Sequence, residues 1–82
     1  MAQENTLTEA ITYCDFKGLQ CPLPVLKTRK KLQSLAACSL LKIETTDPLS
    51  PLDIAHFCLT DGHELVEQRA EDRIFHFLIR KR

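Results

Sequence analysis

The chain has no surplus of charge: 11 Lys and Arg stand against 11 Asp and Glu, a formal net charge of zero with His neutral. That balance excludes attachment to nucleic acid or an anionic membrane by bulk charge, while leaving room for a local basic patch. Aromatic residues make up only 6%, too few to suggest a base-stacking platform. No apolar run approaches the roughly 18–20 residues of a membrane span. With two glycines and four prolines against 44% apolar residues, the composition is that of a folded domain rather than a disordered segment. There are no repeats, low-complexity tracts or internal linkers. Residues 11–82 are therefore expected to form one domain, preceded by a polar, flexible N-terminus over residues 1–10. A domain of this size buries only about 60–65% of its unfolded surface. It favours chemistry presented at the surface over a walled active site.

What the chain does have is cysteine: Cys14, Cys21, Cys38 and Cys58. An even count invites a disulfide framework, but nothing in the opening MAQENTLTEAITY reads as an export signal. A cytoplasmic location with reduced thiols is the expectation. A metal site is not expected either. No Cys-x-x-Cys pair occurs, and His56, His63 and His76 form no i, i+4 pair.

Ile11 to Phe16 reads as a short strand with Cys14 and Phe16 on one face and Tyr13 on the other. Gly18 breaks it. Pro22 and Pro24 then precede a run of good helix formers, and prolines are tolerated only in a first turn, where their missing N–H groups have no helical partner anyway. A helix starting at Pro22 with Cys21 as its cap follows. Val25, Leu32, Leu35 and Ala36, together with Leu26, are its expected buried stripe. Leu40 to Thr46 alternates as a half-wet strand ended by Asp47-Pro48. Ser50-Pro51-Leu52-Asp53 opens a second helix, with Ser50 as the expected cap and Asp53 as the capping-box acid. Gly62 is its natural stop. Two more strand patterns follow, from His63 to Arg69 and from Arg73 to Arg80. In the last one Phe75, Phe77 and Ile79 face one way, and Ile74, His76 and Leu78 the other. The order β-α-β-α-β-β predicts an α+β two-layer sandwich, one four-stranded mixed sheet with both helices on one face.

The thiols differ in context. Cys14 on a strand and Cys58 beside Phe57 on the second helix read as small core residues. Cys38 lies in the connection after the first helix, with nothing nearby to assign it a role. Cys21 stands where a helix N-terminus supplies about half a positive charge and free N–H groups, one recognised way to lower a thiol pKa. Lys17 and Lys27 are placed to add positive potential. On the residues alone, an activated thiol and an ordinary cysteine before a proline-started helix stand side by side. A cysteine hydrolase needs a base, and none of the three histidines pairs locally with Cys21. A thioredoxin-like enzyme needs a resolving thiol, and position 24 is proline. Thiol exchange survives: a lone thiol accepts sulfur or a mixed disulfide and hands it on. Two other classes stay open, a regulatory or RNA-contacting module using the basic first helix and a redox protein forming an intermolecular or Cys21–Cys38 disulfide.

Gly18-Leu19-Gln20-Cys21-Pro22-Leu23-Pro24 resembles the Gly-Leu-x-Cys-Pro-x-Pro signature of the TusA/SirA-like sulfur-carrier family. The resemblance continues through Asp47-Pro48, Asp53-Ile54, Phe57-Cys58, Gly62-His63-Glu64-Leu65-Val66 and Leu78-Ile79-Arg80-Lys81. It departs at Cys38, where a glycine is usual, and at Ala55, where a proline is common. It implies a sulfurtransferase of β-α-β-α-β-β fold that acts as a protein persulfide carrier on Cys21, without a cofactor and as a monomer. Pro22 and Pro24 would support the helix cap. Lys27, Arg29, Lys30 and Asp47 would dock partners. The implied partners are a cysteine desulfurase or a rhodanese-type donor and a downstream relay protein with an acceptor cysteine. The implied destination is tRNA 2-thiouridine synthesis or related sulfur trafficking, with no direct nucleic-acid or membrane contact.

Overall fold

The computed structural model describes residues 11–82; the expected loose N-terminus over residues 1–10 lies outside the described residues. The elements follow the order β1 (Ile11–Phe16), α1 (Leu23–Gln33), β2 (Leu40–Thr45), α2 (Ser50–Asp61), β3 (Glu64–Glu71) and β4 (Ile74–Arg80). They form one four-stranded mixed sheet of order β1-β2-β4-β3. β1 and β2 pair in parallel, as strands joined by a helical crossover can, and β4 pairs antiparallel with both β2 and β3. The helices cover one face.

Strand alternation sets that face. Cys14 lies opposite Ile43, Ile43 opposite Phe77, and Leu41 opposite Ile79. One row of side chains therefore crosses three strands toward the helices, because every second residue points the same way. Leu32 from α1 and Ile54, Phe57 and Cys58 from α2 close on that row. Full burial of each large side chain there contributes about 1.5–3 kcal/mol. Cys58 is buried and Cys14 half-buried against the core, the positions the sequence suggested for them.

The first helix differs from its expected outline. It starts at Leu23, with Pro22 at the N-cap position and Pro24 inside the first turn. It ends before Leu35, where Lys81 Nζ donates to the Leu32 and Leu35 carbonyls at 2.8 and 3.0 Å. The Leu32 carbonyl also accepts from the Leu35 N–H at 3.0 Å in a tightened last turn, and a cation suits the negative end of the dipole. The buried row is Pro24, Thr28 and Leu32, an i, i+4, i+8 repeat. Leu26 sits two residues beyond Pro24, on the far side of the helix, and is exposed, as is Ala36 past the helix end. Leu35 and Val25 do pack against the core.

The capping box expected for α2 is not made. Leu49 holds the N-cap position without a side-chain bond. Ser50 is the first helical residue, buried with its hydroxyl unpartnered among the described residues. Asp47 Oδ1 accepts from the Leu49 N–H at 3.3 Å, a local turn that acidic side chains favour. Gly62 ends α2 in the left-handed region at φ 81°, as expected.

Candidate functional site

Because β1 and β2 run parallel, the loops leaving their C-terminal ends share one end of the sheet. The first loop carries Cys21 and the second Asp47, with Asp53 on the opening turn of α2. Gly18 turns the chain at φ 88°, and its N–H donates to Thr46 Oγ1 at 2.9 Å, tying the two loops together. The Cys21 N–H donates to Asp47 Oδ2 at 2.5 Å. The Cys21 thiol donates to Asp53 Oδ2 at 2.9 Å.

Cys21 is therefore held by two carboxylates, its backbone by Asp47 and its thiol by Asp53, and this reverses the electrostatics expected for the sulfur. Cys21 precedes the N-cap residue and its sulfur is aimed at Asp53. The hydrogen bond to Asp53 pushes the thiol pKa up, helped by desolvation and by the negative charges of Asp53 and Asp47. Neither expected lysine offsets this. Lys17 Nζ is engaged on the helix-free side of the sheet, 3.0 Å from Asp15 and 3.1 Å from Glu44. Lys27 lines a different cleft, with Cys14, Phe16, Lys30, Lys31 and Ser34.

Cys21 is exposed at the end of an open groove of about 580 Å³ between the helices, lined also by Pro22, Val25, Arg29, Leu52, Asp53, His56, Phe57 and Thr60. Arg29 is an exposed lining residue of the groove. Its guanidinium lies 5.4 Å from the Phe57 ring centroid, and its Nε is 3.5 Å from Asp61 Oδ2. The residues expected to dock partners thus divide. Arg29 shares the groove with Cys21, Lys27 and Lys30 face the other side of α1, and Asp47 is committed to the Cys21 backbone. Pro22 lines the groove, while Pro24 is buried beneath the first turn.

Sequence reasoning missed two features here. The sequence pattern marks Asp53 as a helix-capping acid, whereas it is the hydrogen-bond partner of the Cys21 thiol. Leu23, Leu26, Leu49 and Leu52, on the segments flanking Cys21, are 43%, 49%, 54% and 72% exposed. The available signal was topological: parallel strands place their following loops together, so an acid at the start of α2 meets a cysteine at the start of α1. A Cys21–Cys38 disulfide does not fit. The two residues flank opposite ends of α1, whose 11 residues span about 16 Å, and a disulfide needs Cα atoms within about 7 Å.

The chain matches the family described as Sulfurtransferase TusA over residues 12–81. It belongs to the TusA family. A Sulfur carrier protein TusA from Pseudomonas savastanoi pv. phaseolicola is 42% identical over 79 residues, covering 96% of this chain and 92% of the relative. One from Pseudomonas paraeruginosa is 46% identical over 68 residues, covering 83% and 86%. One from Allochromatium vinosum is 42% identical over 67 residues, covering 82% and 88%. In this TusA-family chain, no group of three or more His, Cys, Asp or Glu side chains among the described residues is placed to hold a metal ion. No described helix is long and apolar enough to cross a membrane.

Proposed function

We propose that the chain is a sulfur carrier that bears sulfane sulfur as a persulfide on Cys21. The observation that carries this reading is an exposed thiol, hydrogen-bonded to Asp53 beside an open groove, on a Cys-Pro-x-Pro segment that lies within the matched residues 12–81. The donor is a cysteine desulfurase or a rhodanese-type protein presenting its own persulfide. Cys21 Sγ attacks the terminal sulfur of that persulfide. The Cys21 Sγ–S bond forms as the donor S–S bond breaks, and the donor thiolate takes up the proton that Cys21 gives. Delivery is the same exchange in reverse sense, to an acceptor cysteine of a relay protein that serves tRNA 2-thiouridine synthesis or related sulfur trafficking in the cytoplasm.

A carrier must enter the active sites of other proteins, and the surroundings of Cys21 suit that. The exposed leucines beside it offer apolar contact without enclosing it, and Arg29 adds a cation along the groove. Lys27 and Lys30 present a second basic face. The chain works as a monomer that meets one partner at a time. With a cysteine desulfurase and radiolabelled cysteine, Cys21→Ser is expected to lose all protein-bound label, while the serine variants of Cys14, Cys38 and Cys58 keep it. Label retained on Cys21→Ser would refute the assignment.

A further inference from the structure

We propose that Asp53 is a positioning residue for sulfur exchange: its carboxylate accepts the hydrogen bond of the Cys21 thiol, holds the empty carrier in the protonated form, and so favours sulfur release over sulfur retention. The inference deepens the carrier reading and rests on it.

Asp53 sits in the first turn of α2, so its carboxylate is presented by a helix and not by a mobile loop. The 2.9 Å contact from Cys21 Sγ to Asp53 Oδ2 exists only while the sulfur carries a proton. The charged and titratable groups facing Cys21 are Asp53 and His56 from α2, Asp47 from the loop before it, and Arg29 from α1. Arg29 is already paired with Asp61, and Asp47 is spent on the Cys21 N–H. The Asp53 carboxylate is therefore the charge that acts on the sulfur directly. A carboxylate accepting a hydrogen bond from a neutral thiol favours that form over the thiolate.

Loading changes the balance. In the persulfide, Cys21 Sγ is bonded to a second sulfur and has no proton to donate, so the contact with Asp53 is lost. The terminal sulfur, a stronger acid than the parent thiol, carries negative charge beside two carboxylates, and like charges at this range repel. Delivery relieves both. The Sγ–S bond of Cys21–S–S⁻ breaks, and the transferred sulfur bonds to the acceptor thiol. The acceptor proton ends on Cys21 Sγ, where it restores the hydrogen bond to Asp53, and the negative charge leaves on the new persulfide.

The test is the pH dependence of Cys21 alkylation by iodoacetamide, read on the Cys21 peptide by mass spectrometry in the wild-type chain, Asp53→Asn and Asp53→Glu. A peptide of residues 18–24, which lacks Asp53, is the reference. The wild-type midpoint is expected above that of the peptide. Asp53→Asn should lower the midpoint and speed alkylation near neutral pH several-fold, because the carboxylate that holds the thiol pKa up is gone. Asp53→Glu, which returns a carboxylate, should recover part of the upward shift. A wild-type midpoint at or below that of the peptide overturns the proposal even if Asp53→Asn fails to fold, as does a profile unchanged in a folded Asp53→Asn. A second arm loads both proteins with glutathione persulfide and follows loss of sulfur to a thiol acceptor, which should be slower in Asp53→Asn; equal or faster loss overturns the release role. Failure of Cys21 to take sulfur in either protein would refute the carrier reading, whereas the alkylation profile tests Asp53 alone.

Discussion

Replacing Cys38 with glycine is expected to stabilise the fold by about 0.5–1 kcal/mol. Cys38 sits at φ 71° in the turn that feeds β2, a region where the Cβ of an L-residue costs roughly 1–2 kcal/mol. Its thiol is exposed, so removing the side chain forfeits no core contact. Its N–H donates to the Lys81 carbonyl at 2.8 Å, a bond that glycine retains. Glycine relieves the steric cost but gives back about 0.4–1 kcal/mol through the freer unfolded chain. For a domain of this size the net gain corresponds to a rise in Tm of about 2–8 °C. Thermal melts of wild type, Cys38→Gly and Cys38→Ala under reducing conditions separate the cause. Alanine keeps the Cβ and should gain little. If alanine stabilises as much as glycine, the thiol and not the backbone is responsible; if glycine destabilises, the strain at Cys38 is refuted.

Stability should fall in acid through Glu44, whose carboxyl is held below its usual range first by the hydrogen bond from Lys17 and then by that from Tyr13. A lowered folded pKa contributes stability above the unfolded value and loses it as pH falls through the folded one, so urea midpoints should drop progressively as pH falls below the ordinary carboxylate range. Glu44→Gln should be less stable near neutrality and show a shallower drop; parallel pH curves would contradict this. Cys58 is buried, and desolvation with the nearby Asp61 charge pushes its pKa up to about 11. Alkylation mapped by peptide mass should reach the exposed Cys21 and Cys38 first, the half-buried Cys14 later, and Cys58 only on unfolding. Modification of Cys58 as fast as that of Cys38 would refute its placement.

Much of the fold was legible because its signals are local. Alternation in Leu41-Lys42-Ile43-Glu44-Thr45 and in Phe75-His76-Phe77-Leu78-Ile79 placed the inward faces of β2 and β4 correctly. Gly62 marked the end of α2 because a left-handed residue is cheapest as glycine. The edges of elements were less legible. α1 stops at Gln33, where Lys81, far along the chain, meets the Leu32 and Leu35 carbonyls, and Thr28 is buried because of its place on the helix row despite its polarity. The turn between β3 and β4 centres on Asp72 and Arg73 at φ 54° and 67°, without the glycine that usually announces such a turn.

Cys21 as the residue to watch came from the sequence alone, through a short motif whose prolines act on their immediate neighbours. The electrical setting of its sulfur did not. Lys17 is four residues from Cys21, yet strand alternation and the pull of Asp15 and Glu44 direct it to the opposite side of the sheet. Asp53 is 32 residues away in sequence and 2.9 Å away in space. Proline stereochemistry and hydrophobic periodicity operate over a few residues and can be read from the chain. The charge around a thiol depends on which loops the parallel pairing of β1 with β2 brings together, and only the tertiary structure decides that.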